Sequence, residues 1–197
     1  MILGDKWWLA LSCAAALLLA FPSIVLTQTV AKPATYTVKA DDTLLTMGEQ
    51  LRGKATMNQM AYALARANMG PFKGRPGVTP PAGTTLTVPD QATALATNPQ
   101  KAEVEVAKIW RGEQYYKAAQ ALEKSHDLLY AFDTYVYAAK LGHGPSQLRL
   151  GQLYDRDMSG FVKHDLVESV SWYERAREQK VPIRSAARKG PGMGGAD

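Results

Sequence analysis

The sequence predicts a small α+β unit followed by an all-α array of paired helices, after an N-terminal hydrophobic helix. Three observations lead to this fold class. Residues 7–26 form an uncharged apolar run of about the length of a membrane span. The hydrophobic period changes from that of a strand to that of a helix within Tyr36–Leu51. Two segments near the C-terminus repeat one pattern at a shift of 38 residues, which is typical of helix-pair arrays.

Residues 1–31 are predicted to be a signal peptide or a membrane anchor. Pro22 interrupts the run where the apolar core of a signal peptide often ends, and cleavage after Ala31 would release the remainder of the chain. Retention of the segment would leave an anchored protein instead. Both alternatives place the rest of the chain outside the cytoplasm, unless the segment is not inserted. Cys13 is the sole cysteine, so the chain cannot form an internal disulfide.

The small unit is predicted over residues 34–90 in the order strand, helix, helix, strand. Tyr36 and Val38 alternate with polar residues, as in a half-buried strand. Asp41 or Asp42 is expected to cap the first helix, because a carboxylate accepts hydrogen bonds from unpaired N–H groups. The four elements are predicted at Tyr36–Lys39, Thr43–Leu51, Met57–Asn68 and Thr84–Pro89, with a loop rich in Gly and Pro at 71–83.

Residues 91–98 contain few bulky apolar side chains and are predicted to be a linker between the small unit and the array at 99–183. Asn98 followed by proline marks the start of the array, and Asp165 with Glu168 marks the start of its last helix. The array helices are predicted at Gln100–Arg111, Gln114–Lys124, Leu128–Leu141, Ser146–Asp155 and Leu166–Lys180. The basic, glycine-rich tail at 184–197 is predicted to be disordered.

An array of two helix pairs with a leading helix falls below the roughly three repeats that such folds usually need. Some other surface should therefore cover an exposed end. The small unit, a second copy of the chain and a partner protein are the alternatives, and a partner is favoured because such arrays commonly bind proteins.

Three segments in the small unit, YTVKADDTLL, QMAYALARAN and PAGTTLTVP, resemble the LysM domain, and most closely the LysM-like domain of FimV-type proteins of bacterial envelopes. The resemblance implies a shallow glycan-binding groove between the first turn and the loop after the second helix. The glycan-binding candidates are Asp41, Asp42, Thr43, Leu44, Met69, Gly70, Pro71 and Phe72. The family usually has Gly-Asp-Thr-Leu-Trp at the turn, and this chain lacks that glycine and that aromatic.

The segments AAKLGHGPSQLRLGQLYD and SGFVKHDLVESVSWYERA resemble SEL-one-like repeats, which are related to tetratricopeptide arrays. The resemblance implies a solenoid of helix pairs that binds a protein partner. Aromatic residues at helical spacing are mostly core, and some of them are expected to line a peptide groove. The partner-binding candidates are Tyr135, Tyr154, Trp172 and Tyr173.

Catalytic chemistry is not indicated. His126, His143 and His164 do not stand at metal-ligand spacing with one another or with a cysteine. Asp41 and Asp42 are adjacent at a turn, so their carboxylates do not face each other across a gap as those of a glycosidase must. We therefore expect a non-enzymatic protein with no catalytic residue, no metal, no cofactor and no nucleic-acid partner.

These inferences predict a protein of the bacterial periplasm, anchored to the inner membrane through residues 7–26 if that segment is retained. Its expected role is a scaffold that contacts peptidoglycan and binds an envelope protein, in a pilus, secretion, flagellar or polar assembly. One alternative is a periplasmic adaptor that binds proteins alone. Another is an accessory factor of a cell-wall hydrolase.

Overall fold

The computed structural model describes residues 34–155 and 162–183. They belong to one compact unit that runs from residue 32 onward. The predictions for the N-terminal segment and for the tail lie outside the described residues. The described elements are β1 (Thr35–Thr37), α1 (Leu44–Leu51), α2 (Met57–Ala67), β2 (Thr85–Thr87), α3 (Gln91–Leu95), α4 (Pro99–Lys124), α5 (Leu128–Lys140), α6 (Gly144–Tyr154) and α7 (Leu166–Glu178). Of these helices, none is long and apolar enough to cross a membrane.

In the small unit, residues 34–90, β1 and β2 pair antiparallel with Tyr36 opposite Leu86. Helices α1 and α2 supply the rest of a core in which Met47, Leu64 and Leu86 are fully buried. The helices cover the apolar side of a strand pair that would be marginal alone. The predicted order of strand, helix, helix and strand is confirmed, within a chain that is mostly helical.

Helix α1 is capped by Thr43, so the prediction of an aspartate cap is wrong. The Thr43 hydroxyl accepts a hydrogen bond from the Thr46 N–H at 3.1 Å, and the Thr46 hydroxyl accepts from the Thr43 N–H at 2.8 Å. This is a reciprocal capping box. Asp42 cannot take the same role because its carboxylate turns back and accepts from the Lys39 N–H at 2.7 Å.

The segment 91–98 is not a spacer, because it forms α3 and packs against α2. Ala94 is fully buried in the small-unit core, and the Gln59 amide donates to the Thr97 carbonyl at 2.6 Å. A buried alanine and backbone hydrogen bonds hold a segment that has few bulky side chains. Low apolar content therefore did not prevent this segment from forming a packed helix.

Helix α4 is continuous where two helices were predicted, and Asn98 caps its start as expected, accepting from the N–H groups of Gln100 and Lys101. The predicted break fell at Gly112. A Cβ at Gly112 would lie 3.1 Å from the Cβ of His143, so the glycine permits close approach of the following turn. The close contact with that turn offsets the roughly 1 kcal/mol that a helical glycine costs.

Helix α4 contributes to two cores. Val106 is buried in the core of the small unit, with Ile109 and Trp110 packed against it. Ala119 is buried in the array core, which also contains Tyr135. The small unit thus packs on the leading half of α4 and is the one of the three alternatives that covers this end of the array. Binding of a partner protein stays a prediction.

The internal repeat has a structural counterpart in two joints that follow α5 and α7. Gly142 and Lys180 end these helices with positive φ angles of 85° and 58°. At the first joint His143 lies against Gly112, and at the second joint Val181 lies against Gly144. The two joints therefore match in sequence position and in backbone conformation.

Candidate functional site

The turn before α1 is held by Asp42, which is 7% exposed. One carboxylate oxygen accepts from the Tyr36 hydroxyl and from the Lys39 N–H, each at 2.7 Å. Burial and the Asp42 carboxylate raise the pKa of Tyr36, so its hydroxyl remains a donor at neutral pH. Asp42 therefore supports the turn from inside and does not present a free carboxylate to a glycan, whereas Asp41 is exposed.

The loop after α2 is tied to the same turn. The Thr79 hydroxyl donates to the Asp42 carbonyl at 2.8 Å. Phe72 is 4% exposed and shares the core with Leu44, so neither side chain is available to contact a glycan. Exposed Gly70 has open space where a side chain would project.

Five of the eight glycan-binding candidates thus remain at or near the surface. Asp41, Gly70 and Pro71 are exposed, while Thr43 and Met69 are half-buried. The Thr43 hydroxyl is already engaged as a helix cap. Recognition by this surface would depend on backbone groups and small contacts, because its candidate aromatic is in the core.

A buried polar network joins the small unit to the array, and Glu113 of α4 is its centre. Glu113 is 1% exposed; one carboxylate oxygen accepts from the Arg75 guanidinium at 2.6 Å and the other faces His143 Nε2 at 3.1 Å. The Arg75 guanidinium also lies over the Tyr116 ring at 5.1 Å. Burial alone would raise the pKa of Glu113, but the bonds to His143 and Arg75 outweigh it and lower the pKa to about 2.

His143 is the N-cap of α6, and this role sets its tautomer. Its Nδ1 accepts from the Ser146 N–H at 3.3 Å and lies 2.9 Å from the Ser146 hydroxyl. An accepting Nδ1 carries no proton, so the neutral ring donates from Nε2 to Glu113. Burial lowers the pKa of His143 against the opposing effect of Glu113. Protonation of Nδ1 would remove the cap.

Ser146, His143 and Glu113 superficially resemble a hydrolase triad. Ser146 is fully buried, however, and the histidine nitrogen that faces it already accepts the helix-capping hydrogen bond. A nucleophile must reach a substrate and give its proton to a free base. This trio satisfies neither condition and is a structural joint. Among the described residues, no group of three or more His, Cys, Asp or Glu could hold a metal ion.

The partner-binding candidates of the array lie mostly inside it. Tyr135 and Trp172 are buried in the array core, so the expectation that they meet a partner is wrong. The Tyr135 hydroxyl donates to Glu123 at 2.7 Å, and Glu123 also pairs with Arg149.

The other two candidates also pack within the array. The Tyr173 ring lies close to Gly151, where an added Cβ would come within 2.9 Å of it. Tyr154 is half-buried and meets Phe132 edge-on at 5.7 Å between ring centroids. All four aromatics therefore serve mainly to join the helices of the array.

A different aromatic surface is displayed, and we call it the tyrosine surface: Tyr115 of α4 with Tyr130 and Tyr137 of α5. These side chains are 42%, 64% and 61% exposed, and the rings of Tyr115 and Tyr137 lie 6.0 Å apart. The candidate list missed them. Tyr130 and Tyr137 are two turns apart on one helix face with charged Asp133 between them, a spacing that could have shown an outward stripe.

No protein-family model, curated protein or solved structure matches this chain.

Proposed function

We propose that the protein is a non-enzymatic scaffold of the bacterial cell envelope. In this proposal the small unit is a LysM-like domain that contacts peptidoglycan, and the array is a SEL-one-like solenoid that binds an envelope protein through the tyrosine surface. The observation that carries it is α4, which is shared by both cores and so holds two surfaces in a constant relation. A scaffold needs that property, because it must position one ligand with respect to another.

The tyrosine surface supports the protein-binding half of the proposal. Tyrosines supply large contact area with few rotatable bonds, and they are enriched at interaction hot spots. Three exposed tyrosines lie on two packed helices. They form a larger aromatic surface than the single exposed apolar side chains that every protein surface carries.

The first experiment is photo-crosslinking in cells from position 137, with the same photoreactive residue at Lys140 as a matched control on the same helix. Capture of one envelope protein from position 137, and much less from position 140, is the expected result. Equal capture from both positions, or capture only of cytosolic proteins, would contradict the proposal.

The glycan-binding half is tested by sedimentation of the detergent-solubilised full chain with purified peptidoglycan sacculi. Gly70→Glu places a charged side chain in open space on the candidate surface, and Gln120→Glu adds the same charge to an exposed site on α4. We expect Gly70→Glu to weaken sedimentation about tenfold, which corresponds to about 1.4 kcal/mol, with Gln120→Glu unchanged.

Burial of Phe72, Leu44 and Asp42 favours a second candidate, a periplasmic adaptor that binds proteins alone. In that case sedimentation is weak for the unchanged protein and insensitive to Gly70→Glu, while crosslinking from position 137 persists. The two experiments therefore separate the candidates.

A further inference from the structure

Helix α7 has an apolar face that the described residues leave uncovered. Its inner side buries Ser169, Trp172 and Ala176 against α6. Its outer side exposes three apolar residues in the first half of the helix, Leu166 at 57%, Val167 at 79% and Val170 at 53%. Leu166 and Val167 each lie about one helical turn before Val170, so the three side chains share one face of the helix. We call this face the α7 patch.

The internal repeat indicates what such a face accepts. The shift of 38 residues that relates the two joints places Phe132 of α5 at the position of Val170 of α7. Phe132 is half-buried because α6 packs next to α5, where Tyr154 meets the Phe132 ring edge-on. The equivalent position on α7 would therefore be covered by another helix, and no helix among the described residues covers it.

The small unit limits which occupant fits. It covers the leading half of α4, so the α7 end of one copy cannot stack on that α4 surface of another copy. Head-to-tail association by that route is blocked. A two-fold arrangement, in which the same patch meets itself, remains open and buries the apolar residues of both copies.

The charges that flank the patch favour this arrangement. Lys163 lies just before α7, and Glu174 lies one turn beyond Val170; both are exposed. If two α7 helices cross antiparallel at the patch, Lys163 of one copy approaches Glu174 of the other, and the symmetry makes this contact twice. We propose that the α7 patch is a dimerisation surface that pairs with α7 of a second copy of this chain.

The dimer is expected to be weak and dependent on concentration. A single helix on each side buries much less than the roughly 800 Å² per partner of a standard stable interface. A measurement in the cell, at the native concentration of the full chain, is therefore more informative than one on dilute protein.

The test uses the full chain with Cys13→Ser, which removes the only native thiol. Val170→Cys is compared with Lys140→Cys, an exposed position on α5, after treatment of cells with a short bis-maleimide. We expect Val170→Cys to give several-fold more of a product at twice the mass of the unlinked chain in the same sample. A product of another mass would show a different partner on the patch and overturn the proposal, as would a yield equal to that of Lys140→Cys.

Charge exchange supplies an independent measurement. Glu174→Lys should reduce the crosslinked dimer, because each copy then places lysine opposite lysine. Adding Lys163→Glu to the same chain should restore the yield. Both residues are exposed, so loss of folding is not expected to explain the loss of dimer. Failure of the double variant to recover would refute the antiparallel pairing.

Discussion

The joint after α5 is polar, whereas the equivalent joint after α7 is apolar. At the first joint His143 caps α6 and bonds to Glu113, which also holds Arg75 of the small unit. At the second joint Val181 packs against Gly144 and against Gly74 of the small unit. The same place in the repeat therefore serves two purposes. Hydrogen bonds and an ion pair hold the first joint together, and apolar packing fills the second.

The two joints should respond differently to substitution. A buried carboxylate with two partners is costly to disturb, because removing one group leaves the others desolvated and unpaired. An apolar contact between a valine and two glycines responds to volume and is indifferent to pH. Loss of a charged group at the first joint should therefore cost more than a change of volume at the second.

Replacing Glu113 should have the largest effect. Glu113→Ala leaves buried His143 without its acceptor and frees Arg75, so we expect a loss of about 3 kcal/mol in the free energy of unfolding. Urea denaturation measures it. Lys117→Ala is the matched control, because Lys117 is exposed and its ammonium lies 3.9 Å from the same carboxylate. The control should cost less than about 0.5 kcal/mol. Similar costs for the two variants would contradict a central role for Glu113.

Replacing a glycine by alanine at each joint should affect stability differently, because the space around the two glycines differs. A Cβ at Gly144 would lie 2.5 Å from a Val181 methyl and 3.1 Å from the Gly74 carbonyl, so Gly144→Ala should cost about 1–3 kcal/mol. At Gly112 the nearest contact is 3.1 Å, and alanine gains helix propensity there, so Gly112→Ala should be near neutral. Thermal unfolding followed by circular dichroism compares them. A larger loss of stability for Gly112→Ala than for Gly144→Ala would show that the first joint is the more tightly packed one.

The first joint should also make stability depend on pH. The pKa of His143 is lowered from 6.5 in the fold, so the unfolded chain binds this proton first and stability falls as the pH drops below 6.5. Glu113, whose pKa is lowered from 4.5 to about 2, causes a further loss below pH 4.5. One titrating group cannot change the free energy of unfolding by more than about 1.4 kcal/mol per pH unit.

His143→Asn tests which group is responsible, because asparagine can still cap α6 but does not titrate. In denaturation curves between pH 7 and pH 5, the variant should lose most of the pH dependence of the unchanged protein. Val181→Ala, at the apolar joint, should lower stability by a similar amount at both pH values. An unchanged pH dependence in His143→Asn would assign it to another group.

Sequence patterns predicted the local features of this fold well and the long-range ones poorly. The Asn98 and Asp165 caps, and the strands that hold Tyr36 and Leu86, depend on neighbours along the chain and were confirmed. The break expected at Gly112 was wrong. The glycine lies within a continuous helix and packs against His143, a residue far along the chain. Local propensity does not contain that information.

The candidate sites show the same division. Phe72 was a glycan-binding candidate through the family resemblance and Tyr135 a partner-binding candidate through its place among the array aromatics, yet both are buried. The array carries aromatics on its inner and outer faces, so spacing identifies a face but does not tell which face is inside. Tyr115 and Tyr137 come from different helices, so their ring contact depends on how α4 packs against α5, which the spacing along either helix does not reveal.

The smallest effect concerns the residues that end α5 and α7. Gly142 and Lys180 hold equivalent positions with positive φ, a conformation that costs an L side chain about 1–2 kcal/mol and costs glycine little. The extra entropy that glycine loses on folding offsets part of this. Lys180→Gly should therefore stabilise the protein by about 0.5 kcal/mol, and Gly142→Lys should destabilise it by about 1 kcal/mol. Changes of opposite sign in the free energy of unfolding, measured by chemical denaturation, would confirm that the two joints share one backbone conformation. Equal signs would show that the repeat relationship does not extend to the turns.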